Sequence, residues 1–129
     1  MINMDEEYTN KKDAFRNRTK KYASSIIKLY CSLPKNRTEV NVLGGQVLRS
    51  GTSVAANYRE ASRARSNAEF ISKIETCTQE ADETDLWLEL LEDDCGISSE
   101  LMAWLKQETN ELIAIFVTMA KNTKKRINK

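Results

Sequence analysis

The residues best placed to do chemistry are two carboxylates three positions apart, Glu80 and Glu83, with Glu60 as a third acidic candidate. Carboxylates at positions i and i+3 share one face of a helix, an arrangement with which all-helical nucleotide hydrolases hold Mg²⁺. Those enzymes need a second acidic pair on the following helix, and the pairs available here lack the flanking pattern. These later pairs are Glu89 with Glu92 and Glu108 with Glu111. A metal-dependent nucleotide hydrolase using Glu80 and Glu83 is therefore the alternative interpretation, not the preferred one.

The chain has no histidine and three widely spaced cysteines, Cys31, Cys77 and Cys95. Without an imidazole, Ser/His/Asp and Cys/His nucleophilic sites, mixed zinc sites and Glu-x-x-His di-iron sites cannot be assembled. None of the cysteines belongs to a CxxC pair, and free cysteine in a helix usually packs as a small, buried or half-buried hydrophobic residue. The sequence predicts a protein that is not an enzyme, with no catalytic residue, no metal and no cofactor.

A second chemically active set consists of arginines and lysines in the second helical segment and at the end of the chain. Such side chains can bind nucleic-acid phosphates. The candidates are Arg49, Arg59, Arg63, Arg65, Lys121, Lys124, Lys125 and Arg126. No aromatic-rich platform or base-reading motif accompanies them, so any binding should have little sequence preference. The competing interpretation is a solvated face that forms ion pairs with the acidic segment 67–97.

One polar residue, Asn57, falls within the apolar stripe of the second helical segment. An unpaired buried amide costs about 1–3 kcal/mol, so this side chain requires partners. Glu80, Glu83 and Thr84 on the facing segment could supply them. The sequence predicts that these four residues form a buried polar network that fixes the register of two helices, and a pocket or ion site is the alternative.

The elements that must position these residues are helices. Only 4 glycines and 1 proline interrupt 129 residues, of which 40% are hydrophobic and 30% charged. Apolar residues recur at alternating steps of four and three, most regularly over segment 70–91. Ser66 followed by Glu69 is a capping-box pattern. These signals predict one domain with four helices, at about residues 12–33, 38–65, 67–95 and 99–125.

Short connections between such long helices require sequence neighbours to run antiparallel, so the predicted fold is an all-α, antiparallel up-and-down four-helix bundle. Gly44, Gly45 and Gly51 each cost a helix about 1 kcal/mol, which predicts close approach by a neighbouring helix. No apolar run approaches the roughly 20 residues of a membrane span, and no secretory signal is recognisable, so we expect a cytoplasmic protein without membrane contact.

The central block is more specific than a generic amphipathic pattern. It contains LRSGTSVAANYREA at 48–61, RARS at 63–66, AEF at 68–70, EADET at 80–84 and WLELL at 87–91. It closely resembles the bacterial four-helix bundle proteins first noticed as reading frames inside intervening sequences of 23S ribosomal RNA. The resemblance covers about residues 20–95 and implies an antiparallel bundle. Related proteins form ring-shaped homopentamers.

The resemblance extends to the accessory protein of diversity-generating retroelements, a relative of this family. That protein binds nucleic acid and a reverse transcriptase through a basic surface. The expected function is therefore that of a homo-oligomeric, pentameric scaffold that contacts RNA, DNA or a nucleic-acid enzyme such as a reverse transcriptase. A module that binds only proteins is a further alternative. Trp87, Tyr58 and Trp104 are expected in the core or at subunit interfaces.

Overall fold

The computed structural model describes residues 3–128, and at positions 4, 5 and 7–9 only the backbone. It contains four helices and, within the described residues, no strand. They are α1 (Met4–Ser32), α2 (Thr38–Ala61), α3 (Asn67–Asp93) and α4 (Glu100–Ile127). Each helix packs against its sequence neighbours and α1 also packs against α4, which closes the bundle. The predicted antiparallel four-helix bundle is confirmed.

The helix bounds differ from the prediction by more than two residues at two ends. α1 begins at Met4 rather than near residue 12, because the side chain of Asn3 caps it by accepting the Glu6 N–H at 2.8 Å. α2 ends at Ala61 rather than 65, because the next two N–H groups bond three residues back instead of four: Arg63 to the Glu60 carbonyl at 3.1 Å and Ala64 to the Ala61 carbonyl at 3.0 Å. The four residues released in this way form the turn into α3.

The start of α3 follows the capping pattern with one change. Ser66 Oγ accepts the Glu69 N–H at 3.1 Å, as predicted. The Glu69 carboxylate accepts the N–H of Arg65 at 3.2 Å, not that of Ser66. At the other end of the helix, Gly96 has φ +71°, the left-handed conformation that glycine adopts readily at a helix C-terminus.

The core is a continuous column of apolar side chains drawn from all four helices. The stripe predicted for α3 is buried from Ile74 to Leu91, and Phe70 at its start is half-buried. Tyr58 is also a core residue, at 3% exposure, and Trp87 packs against the core from its edge. Trp104 keeps 37% of its surface exposed and lies beneath the Lys21 ammonium, 5.8 Å from the ring centre.

The glycines of α2 are of two kinds. A Cβ added at Gly51 would lie 2.7–2.9 Å from three side-chain atoms of Ile26, and one at Gly44 would lie 2.7 Å from Leu33 Cδ1. These two glycines permit the close approach of α1 that the sequence predicts. Gly45 has nothing within 4 Å of its would-be Cβ, so the prediction is wrong for this residue.

A fully buried polar layer crosses the bundle, with one residue from each helix. Tyr22 Oη lies 2.6 Å from Thr109 Oγ1, and Thr84 Oγ1 lies 2.7 Å from Ser50 Oγ. All four side chains are at most 1% exposed. Ser50 and Thr109 also donate to carbonyls of their own helices, so every hydroxyl of the layer has a partner.

The predicted network around Asn57 differs from this layer. The Asn57 amide is half-buried and donates within its own helix, to the Ser53 carbonyl at 2.9 Å and Ser53 Oγ at 3.0 Å. Because an α-helix has 3.6 residues per turn, the apolar face of α2 drifts away from a strict heptad, and Tyr58 takes the core position instead. Of the four predicted residues, Thr84 alone joins the buried layer.

The cysteines also divide into two groups. Cys77 and Cys95 are buried, as expected, whereas Cys31 is exposed. Burial raises the pKa of the Cys77 thiol to about 12, and its Sγ lies 3.7 Å from the Val54 carbonyl oxygen. Among the described helices, none combines the length and the hydropathy that crossing a bilayer requires.

Candidate nucleic-acid interface

Seven of the eight cations singled out in the sequence belong to one end of the bundle. We call this the basic end: the α2–α3 turn together with the last turns of α4 and the facing first half of α1, which the antiparallel topology places beside that turn. Arg59, Arg63 and Arg65 come from α2 and the turn, and all three are exposed. The α4 contribution is Lys121, Lys124, Lys125 and Arg126, likewise exposed.

Arg49 is the eighth cation and lies apart from the others, midway along α2. Its guanidinium contacts both carboxylates of the hydrolase alternative, Glu80 and Glu83, each at 3.3 Å. Arg49 is about half exposed, so this contact is an ordinary surface ion pair between α2 and α3. The positive charge needed to balance Glu80 and Glu83 is thus supplied by a side chain of the protein itself.

Most α4 cations do not form strong ion pairs within the protein. Lys124 contacts Glu75 at 3.2 Å, but both side chains are at least half exposed, and such pairs contribute little to stability. Arg126 Nη2 donates to the buried Thr123 hydroxyl at 3.2 Å, which orients the guanidinium without neutralising it. The basic end therefore carries charge that remains available to an external anion.

Two adjoining cavities open at the basic end. The polar cavity, about 340 Å³, lies at the start of α3, and its polar lining includes Arg65, Ser66, Asn67 and Arg126. The aromatic cavity, about 620 Å³, opens between α1 and α4. Both are lined by Phe70, Arg126 and Lys12, so the two volumes are neighbours across shared side chains.

The wall of the aromatic cavity is built from all four helices. Phe15, Tyr58, Phe70 and Met119 form its apolar part. The Phe15 ring meets Tyr58 edge-on, with centroids 4.6 Å apart, and the buried Phe116 ring at 5.7 Å. This stacking fixes the orientation of Phe15. The rim is polar and cationic, and includes Lys11, Lys12, Asn122, Lys125 and Arg126.

A larger groove of about 950 Å³ runs between α3 and α4. Its α3 wall is acidic, with Glu75, Asp82 and Glu83, and its α4 wall carries lysines, including Lys124. The Lys124–Glu75 ion pair bridges the two walls. Three α4 lysines of the basic end, Lys121, Lys124 and Lys125, thus also line a groove whose opposite wall is acidic.

With this geometry in place, the chain can be compared with known proteins. The sequence model of the 23S rRNA-intervening sequence protein family matches residues 11–118. The chain belongs to this family. The matched segment includes the α2–α3 turn and its arginines, and it stops just before the α4 cations that begin at Lys121.

A solved relative shares the fold. The crystal structure of a protein of unknown function from the S23 ribosomal protein family of Bacteroides thetaiotaomicron VPI-5482 is 36% identical in sequence. It superposes with a TM-score of 0.74 and covers 82% of this chain and 97% of its own. Among curated proteins, none matches this chain significantly. The family is thus established for this 23S rRNA-intervening sequence protein, and the comparisons extend to its fold.

Sequence reasoning missed the aromatic cavity of this family member. Phe15 and Phe70 fit the core stripes of α1 and α3, and Tyr58 sits inside the 48–61 motif. Each occurs near the end of its helix that lies at the basic end. Comparing the positions of aromatic residues with the antiparallel order of the helices would have indicated that they meet.

Sequence reasoning also missed a half-buried ion pair between α1 and α4. Arg18 donates to both carboxylate oxygens of Glu108, at 2.7 and 3.0 Å, and Glu108 is 7% exposed. These hydrogen bonds raise the pKa of Arg18 above its ordinary value. The signal was Glu108 itself, a charged residue within the apolar stripe of α4. Among the described residues, no group of three or more acidic, cysteine or histidine side chains could hold a metal ion.

Proposed function

We propose that this 23S rRNA-intervening sequence protein is a non-catalytic, homo-oligomeric scaffold that binds nucleic acid through the phosphates. The observation that carries the proposal is the convergence of cations from two distant segments, 59–65 and 121–126, on one end of the bundle. Exposed guanidinium and ammonium groups at this density attract a phosphate backbone and release its counterions.

The opposite end of the bundle supports an oriented mode of binding. There α3 finishes in the acidic run Glu92, Asp93 and Asp94, and α4 begins with Glu100. Arg37 of the α1–α2 turn donates to the Cys95 carbonyl at the same end, at 2.9 Å, and Lys106 pairs with Glu92, so this end carries mixed charge and attracts phosphates less than the basic end does. A nucleic acid should therefore approach the molecule along one direction.

Self-association would strengthen the modest positive electrostatic potential of a single basic end. We propose a ring-shaped homopentamer, the assembly that the family resemblance implies. Several large apolar side chains lie on the surface and could be covered in such a ring, among them Val42 at 61% exposure, Val117 at 50% and Leu86 at 46%. Five basic ends around one ring would present a nearly continuous positive surface to a single nucleic-acid molecule.

The test is a salt series. Labelled RNA and DNA duplexes are titrated with the purified protein while light scattering records its mass on the same samples. We expect an oligomer whose log K falls linearly with log salt, with a slope of about −0.9 for each phosphate contact. Absence of binding at low salt contradicts a nucleic-acid role and favours a module that binds only proteins. A monomer contradicts the ring.

Variants localise the binding surface. Combined replacement of Arg59→Gln, Arg63→Gln and Lys121→Gln removes three exposed charges of the basic end and should weaken binding to every sequence and flatten the salt slope. Arg49→Gln is the control for the single replacement Arg63→Gln, since each removes one exposed charge but Arg49 lies midway along the bundle. Equal loss of affinity in these two single variants would contradict the assignment of binding to the basic end.

The absence of catalysis is tested directly. The protein is incubated with a panel of nucleoside triphosphates and Mg²⁺ or Mn²⁺, and the release of phosphate and pyrophosphate is measured. We expect no turnover. Turnover that disappears in Glu80→Gln would replace the scaffold by a hydrolase that uses Glu80 and Glu83.

A further inference from the structure

We propose that the basic end is selective for single-stranded nucleic acid, because the aromatic cavity accepts one unpaired base while the polar cavity accepts a neighbouring phosphate. This inference rests on the proposed function and deepens it, since charge alone would favour the more highly charged duplex. The juxtaposition that carries it is an aromatic-walled cavity sharing Phe70 and Arg126 with a cationic cavity.

The aromatic cavity has the chemistry of a base-stacking site. Its volume of about 620 Å³ lies within the range of about 300–1,000 Å³ typical of ligand pockets. Phe15 and Phe70 are only half-buried, so their rings are accessible from the cavity. Every nucleobase has a π-face, which makes stacking on such rings largely independent of sequence.

The polar cavity has the chemistry of a phosphate site. Arg65 and Arg126 line it from the α2–α3 turn and from α4. Thr123 is 2% exposed and accepts a hydrogen bond from Arg126, so the guanidinium is partly oriented before a ligand arrives. The start of α3, with its Ser66 cap, adds the positive end of the helix dipole.

Charge complementarity identifies the occupant. A second copy of the chain or an apolar ligand would use the aromatic rings but would leave the cations of the rim unused. An unpaired nucleotide uses both, since its base is flat and apolar and its phosphate is anionic. In a duplex the bases are paired and stacked within the helix, so they reach the cavity only after unstacking.

The experiment compares three ligands of equal length on the oligomer: a single-stranded DNA, the duplex, and an abasic strand that keeps the phosphates and lacks the bases. We expect the single strand to bind about tenfold more tightly than both others, the gain from stacking about one base. Equal affinity for all three, with normal salt dependence, overturns this inference and leaves the proposed function intact. No binding to any of them overturns both.

Variants separate the two cavities. Phe70→Leu keeps an apolar side chain, and should cost the single strand about five- to tenfold in affinity while leaving duplex affinity unchanged. Arg126→Gln should weaken both ligands. Circular dichroism and oligomer mass verify that each variant is folded. An equal loss for single strand and duplex in the folded Phe70→Leu variant overturns the assignment of stacking to this cavity.

Photocrosslinking supplies a measurement that does not depend on variants. A single strand carrying one 5-iodouracil is irradiated on the wild-type oligomer, and the crosslinked residue is identified by mass spectrometry. We expect crosslinks at Phe15, Tyr58 or Phe70. Crosslinks confined to residues outside the aromatic cavity overturn the inference, including the case in which another subunit covers the cavity.

Discussion

Helix α1 packs against its two neighbours in different ways. Against α2 the fit is steric: Gly51 leaves room for Ile26 and Gly44 leaves room for Leu33, with no space for an added methyl group. Against α4 the contact is looser and mixed: the Phe15 and Phe116 rings meet edge-on at 5.7 Å, and the Arg18–Glu108 pair and the Tyr22–Thr109 hydrogen bond add polar contacts. Helix α1 is thus held by close steric fit on one side, and by an aromatic contact together with directional polar bonds on the other.

The difference explains where a cavity can exist. Interlocking apolar surfaces fill space and leave no room for a ligand. Polar pairs hold two helices at a fixed register over a short stretch and leave the rest of the interface open. The aromatic cavity opens at the α1–α4 interface, on the side of Arg18 towards the basic end. The larger groove between α3 and α4 shows that a closely packed interface can also leave open volume at its surface, so the loose α1–α4 contact accounts for the aromatic cavity alone.

The largest loss of stability should come from removing the ion pair between α1 and α4. Arg18→Met leaves Glu108 buried without its partner, and removal of one member of a buried pair costs about 3–5 kcal/mol. Because Arg18 is one-third exposed, we expect about 3 kcal/mol in urea unfolding.

Lys106→Met is the control for this prediction. Lys106 contacts Glu92 at 2.6 Å, a distance as short as that of the Arg18 pair, but the Glu92 side chain is 32% exposed whereas that of Glu108 is 9% exposed. Exposed pairs contribute at most about 1 kcal/mol. Equal losses of stability in Arg18→Met and Lys106→Met would mean that burial of the carboxylate does not decide the effect. Something other than the Arg18–Glu108 pair would then hold α4 against α1.

The next largest loss of stability should come from disturbing the steric fit between α1 and α2. Gly51→Ala places a methyl group less than 3 Å from Cγ1, Cγ2 and Cδ1 of Ile26, which is fully buried and cannot move aside. Overpacking of this kind costs about 1–3 kcal/mol, against a gain of about 1 kcal/mol in helix propensity. We expect a net loss of about 1 kcal/mol in thermal or urea unfolding. A gain would show that α1 and α2 are less closely fitted than the contact distances indicate.

Much of the fold was readable from the sequence because its determinants are local. The regular spacing of apolar residues over 70–91, the Ser66 cap and the scarcity of glycine and proline fixed the number, type and order of the helices. The start of α1 was missed, since Asn3 caps a stretch with no apolar stripe. Asn57 was misplaced because a strict heptad departs from the true helical period over the length of α2.

The site was only partly readable. The cations of the basic end could be found because charge runs are visible in sequence, and the antiparallel topology gathers them. Which of the predicted cations form ion pairs could not be found from the sequence, since the contacts of Arg49 with Glu80 and Glu83 depend on the register of α2 against α3. The aromatic cavity could not be predicted, because it is formed by four helix segments that lie far apart in the sequence.

An effect of similar size should come from the Tyr22–Thr109 bond. Tyr22→Phe removes one buried hydrogen bond, while Thr109 keeps its bond to the Leu105 carbonyl, so we expect a loss of about 1 kcal/mol at pH 7. Burial raises the pKa of Tyr22 above its ordinary value. The unfolded chain therefore releases this proton above about pH 10 while the folded protein retains it, and wild-type stability falls as pH rises.

In Tyr22→Phe that alkaline loss is absent. The free energies of unfolding of wild type and variant, measured by urea titration from pH 7 to 11, should therefore converge near pH 11, where the wild type has lost about 1 kcal/mol through this group. A difference that stays constant with pH would contradict the burial of Tyr22 as the cause.

The smallest predicted effect concerns Gly45, a glycine of α2 with no neighbouring side chain. Gly45→Ala adds a methyl group where nothing lies within 4 Å, so only helix propensity acts and stability should rise by about 0.8 kcal/mol. Gly44→Ala meets the flexible end of Leu33 and should be nearly neutral, because a small shift of that side chain offsets the propensity gain. The order Gly45→Ala, Gly44→Ala, Gly51→Ala in melting temperature would therefore trace how closely α1 approaches each point of α2. The same rise for all three would mean that α1 yields to any added methyl group, and its two interfaces would then no longer differ in kind.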